Sequence, residues 1–397
     1  MHFGLTAEQQ LLADTVQRFL SQEYGFEARR KILQSREGWS REIWSRLAEL
    51  GLLSLQVPEA HGGMAPATVE TLLTMGAMGR ALVVEPYLSS AIVATALLRD
   101  LGSPEQQERL LPALAAGERI AVPAHGEEGV RYDLQRVATS ARREGGGFVL
   151  RGRKAVVLHA PAADLLLVSA RTAGAPDEAR GISLFLVPRD APGVRLVPYP
   201  TIDGHRAAEV ALDGVRLPAD ALLGAEGEAF GAISAAFDLG LAALCAEASG
   251  ALQATLDTTI EYAKTRKQFG VPIAKFQALQ HRMTDMLMHV EQARSMSYLA
   301  AMSAEATDAG ARRRSLSAAK VVVGQACRFV GQQAVQIHGG MGVSDEVAVS
   351  HYFKRLLAIE VSLGDTEHHL EQFIAASALS APRPPLERVP SAPKEDR

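Results

Sequence analysis

Cysteine is scarce in this chain: Cys245 and Cys327 are the only two in 397 residues. Both lie in apolar stretches with helical patterning. Two buried free thiols are therefore expected, not a disulfide framework or a thiolate metal site. An excess of either charge is also lacking. Lysine and arginine total 41 against 45 aspartates and glutamates, a formal net charge of −4. That balance implies no basic face for nucleic acid or for an anionic membrane surface. The opening residues, Met1-His2-Phe3-Gly4-Leu5-Thr6, lack the basic-then-apolar design of a secretory signal. No apolar run reads as long enough to span a bilayer. A reducing, cytoplasmic location is the expectation. Proline is missing between Pro218 and Pro272, which leaves that stretch free to form uninterrupted helix.

The chain is 47% hydrophobic and 22% charged, a globular composition long enough for two or three cores. Residues 1–119 read as a helical domain. Thr6 with Gln9 fits a capping box, and Leu11, Leu12, Val16, Phe19 and Leu20 recur at helical spacing. Ser103-Pro104-Glu105-Gln106 is a second helix start, with proline in the first position. Residues 120–225 change to short apolar runs between turn residues. Val137 to Arg143, the glycines 145–147 and Phe148 to Leu150 read as a hairpin. Further strands are expected over 155–158, 165–168, 182–187, 194–197 and 209–212, with Asp213-Gly214 as a turn signal. No helices separate these strands, so an antiparallel sandwich or barrel is predicted. Residues 226–380 read as a four-helix bundle, the last three helices over 277–306, 312–337 and 356–376. Residues 381–397, rich in proline and charge, read as a disordered tail. The fold class is α+β in three parts: an all-α domain, a β-sandwich or barrel, and a helical bundle.

Two helix ends carry the chemistry. The first is Arg266-Lys267-Gln268-Phe269-Gly270, followed by Pro272-Ile273 and Phe276-Gln277. Cations in the last turn, a glycine past the end and a proline soon after make a good helix stop. The same corner also offers a guanidinium for a bidentate phosphate contact and an aromatic ring. The second is Gln336-Ile337-His338-Gly339-Gly340-Met341-Gly342. Its glycines close a helix and also leave backbone amides bare for a nucleotide. This pair of motifs, in this order, resembles the acyl-CoA dehydrogenase family of flavoproteins. The resemblance covers the chain to about residue 380 and implies the three-part fold. It also implies that Arg266, Gln268 and Phe269, with Gln336, Ile337, His338, Gly339 and Gly340, hold FAD belonging to a neighbouring subunit.

A third segment, Ser362-Leu363-Gly364-Asp365-Thr366-Glu367-His368-His369, resembles the family's Tyr-Glu-Gly-Thr segment. There the glutamate is the base and the threonine touches FAD, which carries Thr366 and His368 into the expected cofactor site. Matching on Thr366 puts Gly364 where the glutamate belongs. A second base position used by some relatives falls near Gly240, also without a carboxylate. Asp365, one residue out of place, is the first base candidate. Glu247, a lone carboxylate in an apolar helix, is the second. Asp365 and His369 lack a third ligand, so no metal is expected. The family's Thr-Glu-Pro and Trp-Ile-Thr stretches, which flank the flavin ring, are replaced by 122–128 and by Val156-Val157-Leu158.

The residues that would serve a neighbour's FAD are thus present, and those for the chain's own flavin ring are altered. Small subunits of two-component acyl-CoA dehydrogenases, such as the pimeloyl-CoA type, look like this. The implied reaction is α,β-dehydrogenation of an acyl-CoA, with α-proton removal and β-hydride transfer to flavin N5. The implied partners are an acyl-CoA substrate, an electron-transfer flavoprotein, and a homo-oligomer or a mixed oligomer with a paralogous subunit. The alternatives are a flavin-dependent monooxygenase or oxidase on the same scaffold, and a noncatalytic partner that binds CoA or FAD.

Overall fold

The computed structural model describes residues 4–65 and 67–378; the expected tail, 381–397, lies outside them. The N-terminal part folds as α1 (Ala7–Glu23), α2 (Phe26–Gln34), α3 (Arg41–Glu49), α4 (Thr68–Ala81), α5 (Thr95–Leu101) and α6 (Pro104–Ala115). Both capping boxes form. Thr6 caps α1 and is bonded back by Gln9, and Ser103 and Gln106 do the same for α6. A π-helical segment, Tyr87–Ala94, runs into α5. Such widened turns are rare and often mark functional sites.

The middle part is a sheet of β1 (Ala121–Ala124), β2 (Ser140–Glu144), β3 (Gly147–Leu158), β4 (Leu165–Arg171), β5 (Ile182–Pro188), β6 (Val194–Pro200), β7 (Arg206–Leu217) and β8 (Leu222–Leu223). Strand order is β6-β7-β3-β2-β4-β5-β8, with β1 beside β4. Pairing is antiparallel except at β1–β4 and β2–β4. Asp213-Gly214 is not a turn. Arg151 pairs with Asp213 and Leu150 with Val215, so Gly214, at φ 66°, is the extra residue of a bulge inside β7. Glycine serves both features because each needs a left-handed residue, and the pattern of β3 opposite decides between them.

The C-terminal part is α7 (Phe230–Thr265), a short hairpin of β9 (Lys267–Gln268) and β10 (Val271–Pro272), then α8 (Gln277–Ser303), α9 (Ala309–His338), α10 (Ala348–Val361) and α11 (Thr366–Ala378). The last expected helix is split into α10 and α11. Leu363 and Gly364 take φ values of 56° and 111°, which no helix accommodates. By length and composition α7 is apolar enough to cross a membrane, contrary to the sequence expectation, but 67% of that window is buried inside the protein. It is the central core helix. Its crossing with α4 depends on glycine. A Cβ on Gly79 would stand 1.9 Å from Glu247 O, and one on Gly250 would stand 1.8 Å from Gly76 O.

Candidate functional site

A cavity of about 1070 Å³ opens where the three parts meet. Met75 and Met78 of α4, Tyr87, Ser89 and Val93 of the π-helical segment, and Phe237, Leu241 and Leu244 of α7 line it. The end of β3, the β6–β7 loop, α10 and the start of α11 complete the wall. An apolar cavity with a few convergent polar groups is the usual form of a ligand site.

The polar groups at its inner end are mostly tied to one another. Arg355 of α10 holds both oxygens of Glu247 at 2.6 and 2.8 Å, and bonds Asp203 at 2.7 Å. All three are buried. Burial works against the charge on Asp203, but His205 and Arg355 outweigh it and hold its carboxyl well below the usual range. Arg29 of α2 reaches the same knot through Asp203 O, at 3.0 Å. His159 bonds Ser89 at 2.8 Å and Val84 O at 3.2 Å, and burial pulls its pKa down to about 3. Glu85, also buried on the wall, accepts from Ser40 N at 3.1 Å. It has no cationic partner among the described residues, and burial pushes its carboxyl up to about 7.

The outer end faces the expected flavin edge. Val156, two residues after a buried lysine, takes a left-handed conformation at φ 52° and is largely exposed. That lysine, Lys154, bonds Glu127 at 2.7 Å, and Glu127 accepts from Ala138 N and Thr139 N. The clamp holds the loop that presents Tyr132. The Tyr132 ring packs on His368 at 5.1 Å, and its hydroxyl interacts with Asp365.

Asp365 is placed as the cap of α11. Its carboxylate accepts His368 N at 2.8 Å, the main reason its pKa is lowered. Glu247 is placed in the pair with Arg355. A base must accept a proton at the reacting carbon, and both carboxylates are already committed to donors. Thr366 turns its hydroxyl to Glu360 at 3.1 Å. Both positions that relatives use for a base are closed. A Cβ on Gly364 would meet His369 Nε2 at 2.4 Å, and one on Gly240 would meet Val93 Cγ2 at 2.8 Å. Buried Lys320 holds the Gly364 turn through Glu360 O and Gly364 O, at 2.7 and 2.5 Å.

The two helix-end motifs come together. The Tyr262 ring stacks on His338 at 4.2 Å, which joins the end of α7 to the end of α9. Around this joint the surface is bare. Phe269 is 92% exposed, and Arg266, Gln268, Gln336, Gly339 and Gly340 are exposed too. Arg266 makes no side-chain ion pair among the described residues. Cβ atoms built on Gly339 and Gly340 would meet nothing within 4 Å. Ile337 and His338 are buried and form the floor of this corner. Sequence reading did not single out Glu85, His159, Asp203, His205 or Arg355. Glu85 alone left a signal, a carboxylate inside an otherwise apolar run.

Comparison with known proteins covers nearly the whole chain. Family models match at 6–118 (acyl-CoA dehydrogenase, N-terminal domain), 124–215 (middle domain) and 227–379 (C-terminal domain). A probable acyl-CoA dehydrogenase of Bacillus subtilis is 31% identical over 372 residues, covering 92% of this chain and 97% of its own. The human mitochondrial short-chain specific acyl-CoA dehydrogenase is 30% identical, over 81% of this chain and 79% of its own. Among solved structures, the ChsE4-ChsE5 complex from Mycobacterium tuberculosis aligns with a TM-score of 0.84 at 27% identity, over 96% of this chain and 100% of that one. The Tcur3481-Tcur3483 steroid ACAD variant aligns with a TM-score of 0.84 at 29% identity, over 94% and 98%.

Proposed function

The chain belongs to the acyl-CoA dehydrogenase family, FAD flavoproteins that dehydrogenate acyl-CoA thioesters, and we propose that it works as one subunit of a mixed tetramer with a related chain. The observation that carries this reading is the inequality of two cofactor faces. The outward corner is open and equipped. The inward ring site has lost its polar contacts and both base positions.

The residues present fit a dinucleotide shared across an interface. Arg266 is a guanidinium with no ion pair among the described residues, on a corner with bare glycine backbone and a presented aromatic ring. That set suits phosphates and a flat ring system. At the chain's own ring site, Val156, Val157 and Leu158 offer no side-chain hydrogen bond to a polar ring edge, and each bond lost costs about 0.5–1.5 kcal/mol. When bound, FAD supplies the acceptor for the β-hydrogen of the acyl group. Arg266, Gln268, Phe269, Gln336 and the Gly339-Gly340 backbone would hold it for the partner. Within this chain, Met75, Met78, Phe237 and Leu241 give an acyl chain an apolar sheath, and Arg131 and Arg136 on the same cavity suit the phosphates of CoA. Solved two-chain relatives such as the ChsE4-ChsE5 complex support a mixed assembly. Electrons would leave to an electron-transfer flavoprotein.

Co-expression with candidate partner chains tests the proposal. A co-purifying partner, with flavin below one per chain and acyl-CoA-dependent bleaching only in the complex, is the expected result. A yellow, fully loaded and active homotetramer of this chain alone would overturn it. Oxygen consumption with no acyl-CoA requirement would select the oxidase reading instead.

A further inference from the structure

The inner end of the cavity holds two polar groups that the chain itself does not use up. His205 is buried on the β6–β7 loop and lines the cavity. Its Nδ1 stands 3.1 Å from Asp203 Oδ2, off the line of a straight hydrogen bond. Asp203 is in turn pinned by Arg355 at 2.7 Å and by the Thr201 hydroxyl. Asp203 occupies the Nδ1 side of the ring, so Nε2 is the nitrogen left for a ligand. Nε2 has no hydrogen-bond partner among the described residues. Glu85 is the second group. It is buried on the same wall, the Tyr24 hydroxyl faces it, and its Oε2 has no direct hydrogen-bond partner among the described residues.

His159 connects these two groups. His159 bonds the carbonyl of Val84, next to Glu85, and its ring stands 5.3 Å from that of His205. The other polar side chains of this end are satisfied. Ser89 and His159 bond each other, and Glu247 is held by Arg355 at both oxygens. Met75, Met78, Val93, Phe237, Leu241 and Leu244 give the cavity its hydrocarbon lining. Buried polar groups without partners are costly and are retained where a ligand completes them.

We propose that the inner end of the cavity, at His205 and Glu85, is a subsite for an acyl group whose distal part carries a hydroxyl. A hydroxyl both donates and accepts, so it can pair with the Glu85 oxygen and with His205 Nε2. A plain hydrocarbon leaves both unpaired, and a carboxylate brings a like charge against Glu85 and Asp203. The inference rests on the reading of the cavity as an acyl-CoA site and specifies its substrate class.

The test is calorimetric binding to the full-length protein in its purified assembly. Three CoA thioesters of equal chain length serve as probes: plain, ω-hydroxylated and ω-carboxylated. The hydroxylated ester should bind about tenfold tighter than the plain one, the worth of one buried hydrogen bond. His205→Phe keeps the ring against His159 and removes Nε2. Glu85→Gln keeps a group for Ser40 N. The preference for the hydroxylated over the plain ester should shrink in each variant. Equal affinities in the wild type, tighter binding of the carboxylated ester, or a preference untouched by both substitutions would overturn the proposal. Those results leave the acyl-CoA reading standing. Absence of binding by all three esters would sink that reading itself, and this inference with it.

Discussion

The inner end of the cavity and the outer corner of the bundle handle charge in opposite ways. At the inner end, Arg355 and Glu247 of the bundle and Asp203 of the β6–β7 loop pair with one another out of water. At the corner, Arg266 and Phe269 are exposed, Arg266 makes no ion pair among the described residues, and Phe269 meets only the edge of Phe276 among the described aromatic rings. A buried charge must find its partner within the fold, because desolvation is otherwise prohibitive. An exposed one can wait for another molecule. The first region therefore reports on how the chain holds itself together, and the second on what it lacks alone.

The sharpest way to break this contrast is Arg355→Met. It strands Glu247 and Asp203 without their cation, and stability should fall by about 3–5 kcal/mol, read as a lower denaturant midpoint. A pH experiment probes the same end. Burial raises the Glu85 carboxyl from the ordinary 4.5 to about 7. The folded chain then binds more protons than the unfolded one between those values, so stability is fully present below pH 4.5 and drains as pH rises to about 7. The Tyr24 hydroxyl faces Glu85 and stays neutral across this range, its own pKa being raised by burial. At 1.36 kcal/mol per unit the loss is about 3 kcal/mol. Glu85→Gln should flatten that slope relative to the wild type in thermal melts taken across pH.

Between the two regions lies the Gly364 turn. Gly364→Glu, the substitution that refills the family's base position, should not create dehydrogenase activity in the isolated chain. Its Cβ collides with His369 at a positive φ, which should cost about 1–3 kcal/mol. Normal stability together with gained turnover would contradict this. The corner should respond least in stability and most in cofactor. Arg266→Ala should leave the melt within about 0.5 kcal/mol and weaken FAD retention by the mixed assembly about 10–100-fold, the worth of a charged hydrogen bond. A melt that collapses would make Arg266 structural.

Much of the fold was readable because its signals are local. Both capping boxes and the proline-free stretch that becomes α7 are set by neighbours a few residues apart; α7 ends at Thr265, and Phe269-Gly270, read as part of a helix stop, instead turns the β9–β10 hairpin. The sheet was legible as strands, but Asp213-Gly214 was read as a turn because a bulge and a turn ask for the same residues. The split between α10 and α11 escaped because Leu363 has no intrinsic reason to take a positive φ. Lys320, on another helix, holds that turn by two carbonyls.

The linear chain determined its three-part architecture, its family and the two exposed helix ends, since spacing and composition suffice for each. Folding alone decided that Glu247 is answered by Arg355, that Gly364 and Gly240 admit no side chain, and that Glu85 and His205 share one chamber. Those facts depend on pairings between distant segments. A buried charge or a steric clash belongs to the neighbours that packing brings, and no window of sequence contains them.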